Sequence, residues 1–134
     1  MTNRFKVAAG AAALIASACA RPSPLLRDEP IDGPYRLRAV ADAGETHICF
    51  QQRNGVCDLR IPWRVFAIAY DEDFISAAVH PLNVETEKVF YYVVRDFDGS
   101  YPDLKRPVRG PFKRDEFVVE MRKHGVPAPS LITP

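Results

Sequence analysis

Two apolar runs, Val65-Phe66-Ala67-Ile68-Ala69-Tyr70 and Phe74-Ile75-Ser76-Ala77-Ala78-Val79, flank the acidic triplet Asp71-Glu72-Asp73. Neither run alternates cleanly between apolar and polar positions. Near-continuous apolar strands are expected where both faces of a sheet are covered. The pattern therefore predicts a central hairpin with a solvated acidic tip. A third run, Lys88-Val89-Phe90-Tyr91-Tyr92-Val93-Val94-Arg95, is β-branched and aromatic throughout. Its two faces carry Val89, Tyr91, Val93 and Phe90, Tyr92, Val94 respectively.

Weaker strands precede these. Residues 35–40 alternate and read as a first edge strand. Residues 46–51 and 56–61 form a hairpin around Gln51-Gln52-Arg53-Asn54-Gly55. A two-residue Asn54-Gly55 turn would set Cys57 opposite Gln52. A five-residue loop over 51–55 sets Cys57 opposite Cys49 and leaves Gly55 free for positive φ. The second is preferred because two cysteines this close in an exported chain should pair, and a bulge is the other resolution. Residues 96–111 read as loop. One helix follows, with Phe112 and Phe117 placed as a hydrophobic staple around a cap at Lys113. Asp115 and Glu116 open it; Arg122, Lys123 and His124 close it, the order the helix dipole favours. Gly125 stops it and Pro127 prevents its continuation. Phe117, Val118 and Met121 form its buried stripe. The fold class expected is α+β: an antiparallel meander of four to six strands with the C-terminal helix packed on one face.

The first residues follow a different logic. Arg4 and Lys6 precede an apolar stretch over 7–16, too short to span a bilayer as a stable helix. Ala16-Ser17-Ala18-Cys19 then resembles a bacterial lipobox, with Ala16 where that motif usually has Leu. Cleavage after Ala18 or after Ala20 by an ordinary signal peptidase fits the same letters. The organisation expected is a signal peptide over 1–18, a proline-rich tether over 19–34, one globular domain over 35–127 and a tail over 128–134. From Cys19 onward there are 16 basic and 17 acidic residues. Such a balance gives no basic stripe for nucleic acid.

The chain has three cysteines. An odd thiol is a liability in an exported protein. Acylation of Cys19, or its removal, leaves Cys49 and Cys57 as one disulfide in an oxidising compartment.

Candidate chemistry is sparse. His47 and Cys49 lie on one strand face, but no CxxC or HxxxH spacing accompanies them, so no metal is expected. Ser76 and His80 are too far apart along a strand to hydrogen-bond. Asp96, Asp98 and Asp103 resemble a cation loop, yet the distal Glu of a calcium hand is missing, and a plain Asp-Gly turn is preferred. Trp63 is the sole tryptophan and reads as a cap on one end of the core, or else as an exposed anchor. With Arg60, Arg64 and Arg95 it marks a possible binding surface. No catalytic residue and no cofactor are expected.

Phe74-Ile75-Ser76-Ala77, His80-Pro81, Tyr91-Tyr92-Val93, Gly110-Pro111-Phe112, Glu116-Phe117 and His124-Gly125-Val126 together resemble an uncharacterised family of small bacterial lipoproteins. The resemblance implies envelope localisation and no activity. The function expected is that of a non-enzymatic envelope protein, lipid-anchored and facing the periplasm, that binds a protein partner, as an immunity or inhibitor protein does. A soluble periplasmic or secreted form is the alternative address. A small periplasmic enzyme assembled only in the fold, and a structural accessory of an envelope complex, are the alternative functions. Intact-mass measurement of protein from its native host should show an N-terminus at a lipid-modified Cys19 and no free thiol at Cys49 or Cys57. A chain starting at Met1 with two free thiols would contradict the export reading.

Overall fold

The computed structural model describes residues 25–40, 45–81, 84, 86–102 and 105–133. The segment 1–18, Cys19 and the start of the tether lie outside the described residues. The α+β class holds. Among the described residues there are nine strands in two antiparallel sheets, with one α-helix, α1 (Arg114–His124).

The first sheet runs β1 (Leu25–Asp32), β2 (Tyr35–Val40), β3 (Glu45–Gln51) and β4 (Cys57–Ile61), in chain order. The second contains β5 (Val65–Tyr70), β6 (Phe74–Val79), β7 (Val89–Val94), β8 (Val108–Phe112) and β9 (Ser130–Leu131), in the order β8-β7-β6-β5-β9. The single meander of the sequence reading is thus two, broken at Pro62-Trp63 between β4 and β5. One core lies between the sheets. Tyr35, Leu37, Ile48 and Ile61 face Val65, Ile75, Ala77, Val79 and Val93 across it. A second, aromatic core lies between the other face of the second sheet and α1, where Phe117 and Val126 pack with Tyr92. The middle sheet is therefore covered on both faces. This is why β6 is buried from Ile75 to Val79 and why its sequence does not alternate.

Three boundaries differ from expectation. The tether includes a strand: β1 pairs with β2 through two irregularities and carries Pro30, Arg27, Asp28 and Glu29, residues that an exposed edge tolerates. Tyr35–Val40 is consequently internal, not an edge. The segment 96–111 ends in strand, because β8 pairs with β7 from Val108 onward. The tail supplies β9 against Ala67 and Ile68, and Ile132 donates to Phe66 O at 3.1 Å.

The disulfide joins Cys49 to Cys57. It is diagonal, not directly cross-strand. The loop spans 52–56, closed by a hydrogen bond from Gln52 N–H to Val56 O (2.7 Å), so Cys57 lies opposite Gln51 and Cys49 opposite Leu59. A bulge beside Cys49 accompanies this register, and Gly55 has a φ of 87°. With a sequence separation of 8 between its cysteines, loop-closure entropy assigns the bridge about 2.6 kcal/mol.

Helix α1 follows its predicted limits. The Lys113 ammonium has no acceptor to offer, but Glu116 Oε1 accepts the Lys113 N–H at 3.0 Å. Gly125 closes the helix in the left-handed region, with φ 75°. The C-terminal segment is pinned by buried Ser76, whose hydroxyl donates to Pro127 O at 2.6 Å.

A charged pair clamps the two sheets together at one end. Asp98, just after the 3-10 turn Arg95–Phe97 that follows β7, has a side chain with no solvent exposure. It accepts from Arg60 Nε of β4 (2.9 and 3.0 Å), from the Tyr35 hydroxyl of β2 (2.9 Å) and from Gly99 N–H (2.8 Å). Arg60 also donates to Gly99 O and lies over the Phe50 ring. Removing one member of such a pair leaves a buried charge uncompensated. Asp98→Asn is expected to destabilise the fold by about 3–5 kcal/mol, read as a lower urea midpoint at unchanged slope.

Candidate functional site

The groove beside Trp63 is built by chain breaks. Pro62 ends β4, and Trp63 follows half-buried, its ring edge-on to His47 with centroids 6.4 Å apart. On the far side, Gly110 runs so close to β7 that a Cβ there would sit 2.6 Å from Phe90 O and 2.9 Å from the Tyr91 ring. Only glycine permits that approach at φ 121°. It carries Pro111 against Tyr91. The peptides before Arg64 and Pro111 are cis. The result is an open, apolar hollow of about 310 Å³ whose walls include Trp63, Tyr91, Pro62, Pro81 and Pro111. Its surface is aromatic rings, pyrrolidines and the side chains of Val79 and Val89. Trp63 is half-buried, so part of its ring is exposed in this hollow.

Two of the three arginines expected to share a surface with Trp63, Arg60 and Arg95, are bonded elsewhere in the fold. Arg60 is only 8% exposed and is committed to Asp98. Arg95 is held by Asp32 (2.6 Å) and Asp71 O (2.6 Å) and lies over Tyr35. Arg64 is exposed, and its backbone exchanges hydrogen bonds with His80. Charge neutralised inside the fold took Arg60 out of the surface, while Arg95 is tied to a neighbouring carboxylate at the surface.

Other candidates are also committed. Ser76 is buried under Pro127. His80 donates from Nδ1 to Glu87 O (3.0 Å) and stacks on Phe66 at 4.1 Å. His47 is held below the usual imidazole range, first by burial and also by Arg38, against a raising hydrogen bond with the Glu45 backbone. Of the expected cation loop, Asp103 lies outside the described residues, and Asp98 is bonded to the guanidinium of Arg60.

A second hollow, of about 530 Å³, lies on the helix side of the middle sheet. Phe74, Phe97 and Phe112 wall it, and Tyr92, Arg109, Glu120 and His124 supply its polar atoms. Glu120 Oε2 accepts the Tyr92 hydroxyl at 3.2 Å and faces His124 Nε2 at 3.2 Å. The Tyr92 ring is stacked on Phe112 and edge-on to Phe74. The sequence reading did not single out this constellation. The Glu120–His124 spacing of one helical turn was its one visible signal; the approach of Tyr92 and Arg109 depends on strand register and helix docking.

Burial pushes the Tyr92 phenol above its ordinary value, and the Glu120 carboxylate adds to the rise. Burial does the same to Tyr91 and Tyr35, with Asp98 adding at Tyr35. These groups favour the native state fully below pH 10. That contribution is lost as pH rises through their native values, because the unfolded chain then releases protons that the native state keeps. NMR titration of the tyrosine rings should show Tyr35, Tyr91 and Tyr92 still protonated as pH passes about 10. Tyr92→Phe should reduce the alkaline loss of stability. Comparison with known proteins finds no matching family model, no matching curated protein and no matching solved structure.

Proposed function

We propose that the chain is a non-enzymatic cell-envelope domain that grips an extended apolar segment of a protein partner in the Trp63 groove. The observation that carries this reading is the convergence of Trp63, Tyr91 and three prolines on one open apolar hollow. Tryptophan and tyrosine dominate binding energetics where they line well-packed pockets. Grooves walled by aromatic rings suit extended, proline-containing segments. An immunity protein or an inhibitor of a secreted hydrolase would act through such an anchor. A structural accessory of an envelope complex would use the same groove for a permanent neighbour.

The address rests on the N-terminal signal pattern and on Cys19 as the lipid-bearing residue, with the Cys49–Cys57 bridge as its support, since such bridges persist in oxidising compartments. The resemblance to small bacterial lipoproteins points the same way. The rival reading, a small enzyme, draws on His124 beside Glu120 in the second hollow. No serine or cysteine lines that hollow, and the one hydroxyl there, on Tyr92, is tied to Glu120 with its proton held more firmly than usual. We therefore read it as a binding pocket.

Affinity capture with the mature, tagged protein in extracts of the native envelope should recover a protein partner in stoichiometric amount. Trp63→Ala should weaken that complex about 30-fold or more, the loss expected of a hot-spot residue, while the Cys49–Cys57 bridge and far-ultraviolet circular dichroism stay as in the parent. Recovery of no partner, together with turnover of a cell-wall fragment, would replace this reading with the enzymatic one.

A further inference from the structure

We infer that the hollow between α1 and strands β6, β7 and β8 binds a zwitterionic aromatic molecule, an α-amino acid with an aromatic side chain. The site shares no lining residue with the Trp63 groove and does not rest on the function proposed for it.

The fold leaves few polar groups uncommitted. Among the described residues, every buried side-chain nitrogen and oxygen has a partner. At the hollow two complementary groups remain available. The Tyr92 hydroxyl donates to Glu120 Oε2, and His124 Nε2 approaches that same oxygen at 3.2 Å. Oε1 receives no donor among the described residues, although a carboxylate has about four acceptor positions. Arg109 stands opposite Tyr92 in the β7–β8 register, on the same helix-facing side of the sheet. It is half-buried, and no carboxylate among the described residues pairs with it. A guanidinium and a carboxylate oxygen thus face one cavity with their bonding capacity open.

The walls specify the rest. Phe74 and Phe112 present rings already arranged edge-on and stacked around Tyr92, and the partly exposed Phe97 stands at the mouth. An aromatic guest ring extends that set, gaining area burial and quadrupole contacts. The volume, about 530 Å³, is in the range of small-molecule pockets. An aromatic acid would satisfy Arg109 and set its own charge near Glu120. An aromatic amine would satisfy Glu120 and leave Arg109 unpaired. A zwitterion meets both, with its carboxylate on the guanidinium and its ammonium on Oε1.

Calorimetric titration of the protein purified from its host with L-phenylalanine, 3-phenylpropanoate and 2-phenylethylamine tests this. Saturable binding of phenylalanine at concentrations up to about 10 mM, at least tenfold tighter than either singly charged analogue, is the expected result. Arg109→Gln should abolish the advantage of phenylalanine over the amine, and Glu120→Gln its advantage over the acid. Glu120→Gln keeps side-chain size and Arg109→Gln shortens it, and NMR resonances of Tyr92 and Phe112 report both folding and occupancy. No saturable binding, equal binding of all three compounds, or binding of phenylalanine unchanged in both variants would overturn the inference.

Discussion

A carboxylate with no contact with water holds the two halves of this fold in place. Asp98 leaves the end of β7 in the second sheet and is gripped by Arg60 and Tyr35 of the first. A buried ion pair does not of itself add much net stability, because desolvation offsets the attraction. Its effect is selective. Any sliding of one sheet over the other would strand an unpaired charge in an apolar core, at a cost of several kcal/mol. The apolar residues between the sheets, mostly Ile, Val, Leu and Ala, have no comparable directional preference. The pair therefore sets where the sheets meet, and hydrophobic burial sets how strongly. Arg95 lies over the ring of the same tyrosine and ties Asp32 and the Asp71 carbonyl to this end of the sandwich.

With the first sheet fixed in this way, the middle sheet has two occupied faces, and the two hollows lie on opposite sides of it. Tyr91 and Tyr92 are neighbours in sequence and point in opposite directions, as strand geometry requires. Tyr91 lines the groove beside Trp63; Tyr92 lines the hollow beneath α1. Strand β8 serves both as well, with Pro111 on one side and Arg109 and Phe112 on the other. The close approach of Gly110 to β7 makes this possible, because it holds that edge against the backbone of Phe90 and Tyr91.

What could be read in the residues was whatever depends on neighbours in sequence. The unbroken apolar runs of β5 and β6 implied a doubly covered sheet, and α1 lay within its cap and its stop glycine. The proximity of Cys49 and Cys57 implied their bridge, although its diagonal register was beyond local reasoning. What failed were segments whose structure is supplied by a distant partner. Leu25–Asp32 has no periodicity and four charges, and becomes strand because β2 offers it an edge. Val108–Phe112 contains Gly and Pro, and becomes strand because β7 does the same. The arginines failed differently: composition shows how many there are, and only packing shows that Arg60 spends its charge inside.

The same distinction separates the two hollows as functional features. Several polar groups that the sequence raised as reactive or metal-binding are occupied by the fold, each with a structural purpose: Ser76 pins the C-terminal segment, Cys49 and Cys57 close a loop, and Asp98 joins the sheets. Groups whose bonding is complete have little left to offer a ligand. The features that remain are the apolar faces of Trp63 and Tyr91, and the open pair formed by Arg109 and Glu120 Oε1. Neither is a motif, since each combines side chains from strands and turns far apart in the chain. A fold that meets its internal polar demands almost everywhere directs attention to the places where it does not, and here both are concave and ring-lined.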